Sequence, residues 1–352
     1  MNTVNVAIVG YGLAGATFHA PLVKVTEGLK IKYIVARSEE KQTKARNDHP
    51  SAEIVSDLES LLKQSKDIGL AVIATPNKEH APQAMACLNA GIPVVVDKPM
   101  ALNSAQCAEL IDLSQRKGTL LSVFQNRRWD NDFLTLKQLL AKETLGKILR
   151  FESRYERYRP ALRPNAWREQ LDTEQGGGIL FDLGSHLIDQ ATQLFGQPDQ
   201  VYAEVKKRRD GVAADDDAFV ALSFPSGVQA HLWMSALSAS LGHRFRLLGT
   251  EGAYEKYGLD PQEDDLRAGK TPKDSNWGIE KHSSWGNITL HKDGLNIKGE
   301  LETAPGAYQR FYELMREAIN GSGAVPVDPV SAMNTMKIIE QARKSSGSTI
   351  KL

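Results

Sequence analysis

The 352 residues predict two domains of different class. Residues 1–125 should form an α/β domain on a parallel, doubly wound sheet. Residues 126–352 should form an α+β domain with a large, mostly antiparallel open sheet. Three observations lead there. Up to Phe124, short β-rich runs alternate with helical patterns, the mark of strand–helix–strand units. The first of those runs passes straight into Gly10-Tyr11-Gly12-Leu13-Ala14-Gly15. From Lys147 the hydrophobic period becomes two, and strands follow one another without helices between them.

Val4 to Val9 is the first strand. The glycines behind it stand in strand–turn–helix context, which is the setting a dinucleotide requires. The first permits a tight turn, the second lets a pyrophosphate approach the backbone, and the third lets helix and strand pack closely. The amides at the start of the following helix then face the phosphates. This is the Rossmann dinucleotide-binding pattern. The second strand runs from Ile31 to Ala36. An acid about 20 residues past the glycines would hold the ribose 2′-hydroxyl of NAD. Ala36 occupies that place, and Arg37 and Ser38 follow. A guanidinium with a second donor suits a 2′-phosphate, which favours NADP over NAD. Two other readings stay open: Arg37 stacks on the adenine, or Glu39 or Glu40 reaches the ribose.

Leu70 to Ala74 reads as a buried strand, with Thr75-Pro76-Asn77 at its carboxyl end. A helix from His80 to Ala90 stops at Gly91. Pro93 to Val96 is the next strand, and Pro99 then turns the chain, leaving Lys98 at the sheet's carboxyl edge. Ligands bind at that edge in such sheets. Lys98 there is either a solvated charge or a donor that stabilises an alkoxide. Asn103 or Ser104 caps a helix to about Lys117. Leu120 to Phe124 is the last strand of the domain, and Gln125 to Trp129 leads out through a polar, aromatic stretch.

In the second domain, Asp130 to Ala141 is an amphipathic helix with Phe133, Leu136, Leu139 and Leu140 on one face. Ile148, Phe151, Ser153, Tyr155 and Arg157 then alternate with Leu149, Arg150, Glu152, Arg154 and Glu156. Further strands read at 200–207, 218–224 and 228–234, with a turn at Pro225-Ser226-Gly227, and at 245–248 and 287–290. Gly176-Gly177-Gly178 enters a helix that runs from Gly178 to Phe195 and ends at Gly196. Asp182 and His186 stand four residues apart on it, on one face. A carboxylate beside an imidazole fixes its tautomer and raises its basicity, which suits a general base near neutral pH. This helix should cover one sheet face. The other face has no cover in the sequence, so a homodimer or homotetramer through it is expected. Residues 259–278 should be a long loop, and 307–318 and 329–343 closing helices.

Bulk composition narrows the partners. Basic and acidic residues both number 43, so no general attraction to nucleic acid or anionic membrane exists. No run of about 18 apolar residues occurs, and the N-terminus enters a strand at once. A soluble, cytoplasmic protein is expected. Cys87 and Cys107 fall in helical apolar patterns and read as buried thiols. The histidines make no metal-ligand pattern, and no metal is expected.

Taken together, Gly10 to Gly15, Ala74-Thr75-Pro76-Asn77, Asp97-Lys98-Pro99 and Gly177 to Asp189 resemble the glucose–fructose oxidoreductase / inositol dehydrogenase / MocA family over nearly the whole chain. Asp97 stands where that family's motif has Glu. The segments 122–130, 167–170 and 257–263 look like the branch that contains bacterial NADP-dependent scyllo-inositol dehydrogenases. The resemblance implies a catalytic group of Lys98, Asp182 and His186. It implies reversible hydride transfer between NADP and a secondary alcohol of a cyclic polyol or sugar. Cofactor contacts are expected from Gly10, Tyr11, Gly12, Leu13, Ala14, Gly15, Arg37, Ser38, Thr75, Pro76, Asn77, His80, Asp97, Lys98, Asn126, Trp167 and Arg168. Substrate contacts are expected from Lys98, Arg127, Tyr155, Arg157, Asp182, His186 and Asp189. Reduction of a sugar carbonyl, oxidation of a dihydrodiol-type compound, and a non-enzymatic NADP sensor are the competing readings. A sensor has no need for the three catalytic groups together.

Overall fold

A computed structural model describes residues 3–162 and 170–352. The chain divides into two compact units. The first takes the residues up to Trp129, together with Gln262–Trp277 and Ala307–Met333. The second takes Asp130–Pro261, Gly278–Gly306 and Asn334–Leu352.

The first unit is built on six parallel strands: β1 (Val4–Val9), β2 (Leu29–Val35), β3 (Glu53–Val55), β4 (Leu70–Ile73), β5 (Val94–Asp97) and β6 (Leu121–Phe124). Their order is β3-β2-β1-β4-β5-β6. The chain reverses its direction of winding between β1 and β4, and ligands bind at the carboxyl ends of strands at such a switch point. The central strands are buried on both faces, so Val6, Ile8, Val72 and Val94 to Val96 have no exposed surface. That is why these strands read as continuous apolar runs, not as alternating ones. The helix over Ser104–Lys117 is capped by Asn103, whose side chain accepts from the Gln106 amide at 2.9 Å. The helix expected from His80 starts earlier, at Asn77, with the extended Pro76 as its cap residue. Strand β3 was not expected; three residues are too few to show a period. Buried Cys87 and Cys107 are free thiols, and burial pushes Cys87 up to about 12.

Two later segments complete this unit. The Gln309–Ile319 helix inserts Phe311 and Tyr312 against Phe124, with ring centroids 4.9 and 5.9 Å away. Residues 259–278 are not simply a loop, because Gln262–Arg267 is helical. Its first turn carries Glu263, Asp264 and Asp265, which favour a helix start. Six residues are too short for a hydrophobic stripe, so the polar composition alone suggested a loop.

The second unit holds a sheet of nine strands among the described residues. They are β7 (Ile148–Glu156), β8 (Gln200–Lys206), β9 (Asp217–Ser223), β10 (Gln229–Ser235), β11 (Phe245–Gly249), β12 (Gly252–Lys256), β13 (Gly286–Lys292), β14 (Leu295–Leu301) and β15 (Thr349–Lys351). The order is β14-β13-β12-β11-β7-β10-β9-β8-β15, and every neighbouring pair is antiparallel except β7 with β10. A register shift sits where Gly249 meets Ile148. It explains why apolar residues 148 and 151 on β7 break strict alternation. Strands β12, β14 and β15 were not expected from the sequence. On β14 most residues are exposed, so no buried face marks it.

One face of this sheet carries Phe151, Leu222, Leu232, Met234 and Leu247, all fully buried. The helical segment Leu180–Phe195 packs on β7 and β10 there. Gly184 makes the approach possible, since a Cβ on it would lie 2.9 Å from the Met234 sulfur. The opposite face carries half-exposed Tyr202, Phe219, His231 and Trp233. There the Arg154 guanidinium stacks 3.9 Å from the Trp233 ring.

Candidate active site

The glycine turn after β1 has the three features its sequence implies. Gly10 has φ +99°, and a Cβ there would lie 2.7 Å from the Ala74 carbonyl oxygen. A Cβ on Gly15 would lie 2.0 Å from the Gly10 oxygen, so helix and turn touch through hydrogen alone. At Gly12 nothing lies within 4 Å of the added atom, and the backbone is open to a ligand. The helix that follows starts with a wide π-type turn over Ala14–His19, closed by the Ala20 amide on the Gly15 carbonyl. Such turns are frequent at functional sites. Leu13 is exposed. Tyr11 turns inward, and its hydroxyl donates to Asp48 Oδ2 at 2.8 Å. Burial, then that hydrogen bond, push the phenol up. What Tyr11 offers a ligand is therefore its backbone.

At the end of β2, Arg37 and Ser38 are exposed, and Ser38 caps the next helix by accepting from the Lys41 amide at 3.4 Å. At the end of β4, the Thr75 hydroxyl donates to Gln83 Oε1 at 2.8 Å. His80 is 1% exposed. Its Nδ1 lies 2.7 Å from the Pro99 carbonyl oxygen and its Nε2 2.8 Å from that of Thr75. This ring ties the loop after β4 to the loop after β5 from behind.

Lys98 is half-buried, and its amide donates to Asp97 Oδ1 at 2.8 Å. His19, fully buried, places Nε2 3.8 Å from that carboxylate, an ion-pair distance and not a hydrogen bond. Its Nδ1 is 2.6 Å from the Tyr312 hydroxyl. Burial raises Asp97, but His19, His80 and Lys98 more than offset it and hold the carboxyl below its ordinary range. Asn126 is half-buried just beyond β6.

Arg127 donates to the Tyr308 hydroxyl at 3.1 Å and forms a short ion pair with Glu263. Burial raises Glu263, but Arg127, then Arg267 and Lys98, bring it below the usual glutamate range. Sequence reading missed Glu263 as a partner because it lies 136 residues from Arg127. Above its unfolded-state value of about 4.3, Glu263 is ionised in both states and its stabilisation is fully present. As pH falls, the unfolded chain takes up the proton first, and the stabilisation disappears through the lower folded-state value. Glu263→Gln should therefore melt at a lower temperature than wild type at neutral pH, with the gap closing as pH falls below the unfolded-state value of about 4.3. Thermal melts from neutral pH into acid check this; a gap unchanged in acid would contradict it.

In the second unit, Asp182 is half-buried in a π-type turn over Leu180–Gly184, and His186 and Asp189 are 6% and 2% exposed on the Ser185–Phe195 helix. The Tyr155 ring stands edge-on to His186, centroids 6.3 Å apart. Behind it lies Arg244, 2% exposed. Its guanidinium donates to Ser153 Oγ at 2.6 Å, Gln190 Oε1 at 2.8 Å and the Tyr155 hydroxyl at 3.2 Å. It also stacks 4.1 Å from the Tyr155 ring. Tyr155 is thus locked from the far side, which fixes the wall beside His186. Arg157, half-buried, continues from β7, with its amide donating to the Ser235 carbonyl at 2.9 Å. Trp167 and Arg168 lie outside the described residues. Lys98 belongs to the first unit, and Asp182, His186 and Asp189 to the second. Among the described residues, no cluster of three or more His, Cys, Asp or Glu could hold a metal ion, and no helix is long and apolar enough to cross a membrane.

A doubly wound sheet with a nucleotide-binding glycine turn, joined to a sheet domain bearing an Asp/His helix, defines an oxidoreductase that uses a nicotinamide dinucleotide. Residues 4–125 match the family model for an oxidoreductase family's NAD-binding Rossmann fold, and residues 137–352 match that for its C-terminal alpha/beta domain. The chain belongs to this family, Gfo/Idh/MocA. It is 40% identical to the oxidoreductase YdgJ of Escherichia coli (strain K12), over 98% of this chain and 97% of that protein. It is 37% identical to the scyllo-inositol 2-dehydrogenase (NADP(+)) IolW of Bacillus subtilis (strain 168), over 98% and 94%. The solved structure of the Bacillus subtilis oxidoreductase yvaA superimposes with a TM-score of 0.94 at 36% identity, covering 100% of this chain and 99% of that one.

Proposed function

We propose that this chain catalyses reversible, NADP-dependent hydride transfer at a secondary hydroxyl of a cyclic polyol of the scyllo-inositol type, or of a sugar. The observation that carries the reading is the presence of Lys98, Asp182 and His186 together in a chain 37% identical to an NADP-linked scyllo-inositol dehydrogenase. The open backbone at Gly12 and the close packing at Gly10 and Gly15 fit a dinucleotide pyrophosphate. When bound, the nicotinamide supplies the hydride acceptor or donor. In the oxidation direction His186 takes the proton from the substrate hydroxyl. Asp182 orients the imidazole and favours its charged form. Lys98 stabilises the alkoxide that develops. Arg127, Arg157, Asp189 and Tyr155 are the proposed polar contacts for the remaining hydroxyls, and Asn126 a contact for the cofactor. We place the protein in the cytoplasm as a homodimer or homotetramer formed through the open face of Phe219 and Trp233, with no nucleic-acid or membrane partner.

Arg37 and Ser38, exposed just past Ala36, which holds the place of an NAD-selecting acid, are the proposed 2′-phosphate site. Arg37→Ala should weaken NADPH by about tenfold to a hundredfold, the worth of a charged hydrogen bond, and leave NADH nearly unchanged. Titration of both cofactors by fluorescence checks this. Equal loss for both would show that Arg37 stacks on the adenine instead. For the reaction itself, mass spectrometry of scyllo-inositol incubated with enzyme and NADP should find a ketone lighter by two hydrogens. No product from any polyol or sugar would remove the reading.

A further inference from the structure

We propose that Asp215 is a positioning residue for the helix that carries Asp182 and His186. The triple glycine before that helix is a slot and not a flexible entry. Gly178 has φ +100°, and a Cβ on it would lie 2.1 Å from Asp215 Oδ1. A Cβ on Gly177 would lie 2.1 Å from the Leu171 carbonyl oxygen. Asp215 fills the slot and takes two of the amides that a helix start leaves without partners. Its Oδ2 accepts from the Leu180 amide at 2.8 Å, and its backbone oxygen accepts from the Ile179 amide at 2.7 Å. Ile179, at the cap position, makes no side-chain cap of its own.

The clamp is anchored from a second direction. Arg343 donates to the Gly177 carbonyl at 2.9 Å, and the same nitrogen lies 3.4 Å from Asp215 Oδ1. Gly178 passes the constraint on, since its carbonyl accepts from the Asp182 amide at 3.0 Å. Asp215 itself is 6% exposed and sits just ahead of β9, so it fastens the helix entry to the sheet. A slip of one residue at that entry would turn every later side chain by about 100° around the axis. Asp215 thereby sets where Asp182 and His186 point. The carboxylate also favours the positive end of the helix dipole. This inference rests on the catalytic reading of Asp182 and His186, but its structural half can be tested without substrate.

The experiment compares wild type, Asp215→Ala and Asp215→Asn by hydrogen-exchange mass spectrometry and by steady-state kinetics. In Asp215→Ala, amides over 179–186 should exchange about fivefold faster or more, the effect of a lost cap, while those of β1 to β6 are unchanged. Its kcat should fall by about tenfold to a hundredfold with NADPH affinity intact, as expected for misplaced catalytic groups. Asp215→Asn keeps an oxygen for the Leu180 amide and should recover kcat to within about fivefold of wild type. Should Asp215→Ala fail to fold, Arg343→Met, which removes the anchor and leaves the carboxylate, should show the same faster exchange. Unchanged exchange over 179–186 in a folded variant would overturn the proposal, as would an alanine variant with wild-type kcat. If wild type turns over no substrate, the functional reading falls, and the exchange result still decides the clamp.

Discussion

Replacing His186 with alanine should lower kcat by about 10²–10⁴-fold, the usual contribution of a positioned general base, while NADPH binds as before. The prediction follows from what surrounds the ring. His186 is 6% exposed, on a helix packed onto β7 and β10, with Tyr155 edge-on beside it. Tyr155 is in turn locked by Arg244, which bonds to its hydroxyl and stacks on its ring. Removing the imidazole leaves this wall in place, so the loss should fall on the proton transfer and not on folding. Steady-state kinetics with the oxidised cofactor, paired with a thermal melt, separates the two. A variant with wild-type kcat would remove His186 from the mechanism.

Lys98→Ala should reduce kcat by about 10²–10³-fold, the scale of losing one donor to a developing oxyanion. Lys98 follows β5 at the carboxyl edge of the parallel sheet, and its amide is held by Asp97. His80 fastens the same loop through the Pro99 carbonyl. The backbone of Lys98 is therefore set independently of its side chain, and truncation should leave the loop standing. Lys98→Arg should not restore activity, because a planar fork cannot replace a compact ammonium at one oxygen. Measuring kcat and the polyol KM for both variants checks this. Recovery in the arginine variant would mean that Lys98 supplies only charge.

The parts that were legible in the sequence are those whose physics is local. Gly10 and Gly15 each answer a backbone requirement within a single turn, and the structure shows both, while the space beside Gly12 is open. Asn103 caps the helix that follows it within three residues. The open sheet was legible through period two on β8, β9 and β10. What escaped depends on distant chain. Glu263 meets Arg127 only because the Gln262–Arg267 helix belongs to the first unit. Arg244 gives no sign in a strand pattern that it will be buried behind Tyr155. Asp215 sits in an acidic run that resembles a solvated turn, and its place shows only in the folded chain, in the bond from the Leu180 amide and the impossible Cβ on Gly178. Tyr155 and His80 were expected as a substrate and a cofactor contact. The hydrogen bond of Tyr155 with Arg244, and the place of His80 between the two loop carbonyls, show each of them also supporting its neighbours.

The central claim is dehydrogenation of a cyclic polyol with NADP. The most direct test follows the near-ultraviolet absorbance of reduced nicotinamide, with purified protein, NADP or NAD, and a panel of inositols and aldoses. Reduction of NADP with scyllo- or myo-inositol, and much less with NAD, is the predicted result. No reduction across the panel, in protein that still binds NADPH tightly, would contradict the claim and point to a carbonyl or dihydrodiol substrate, or to a sensor.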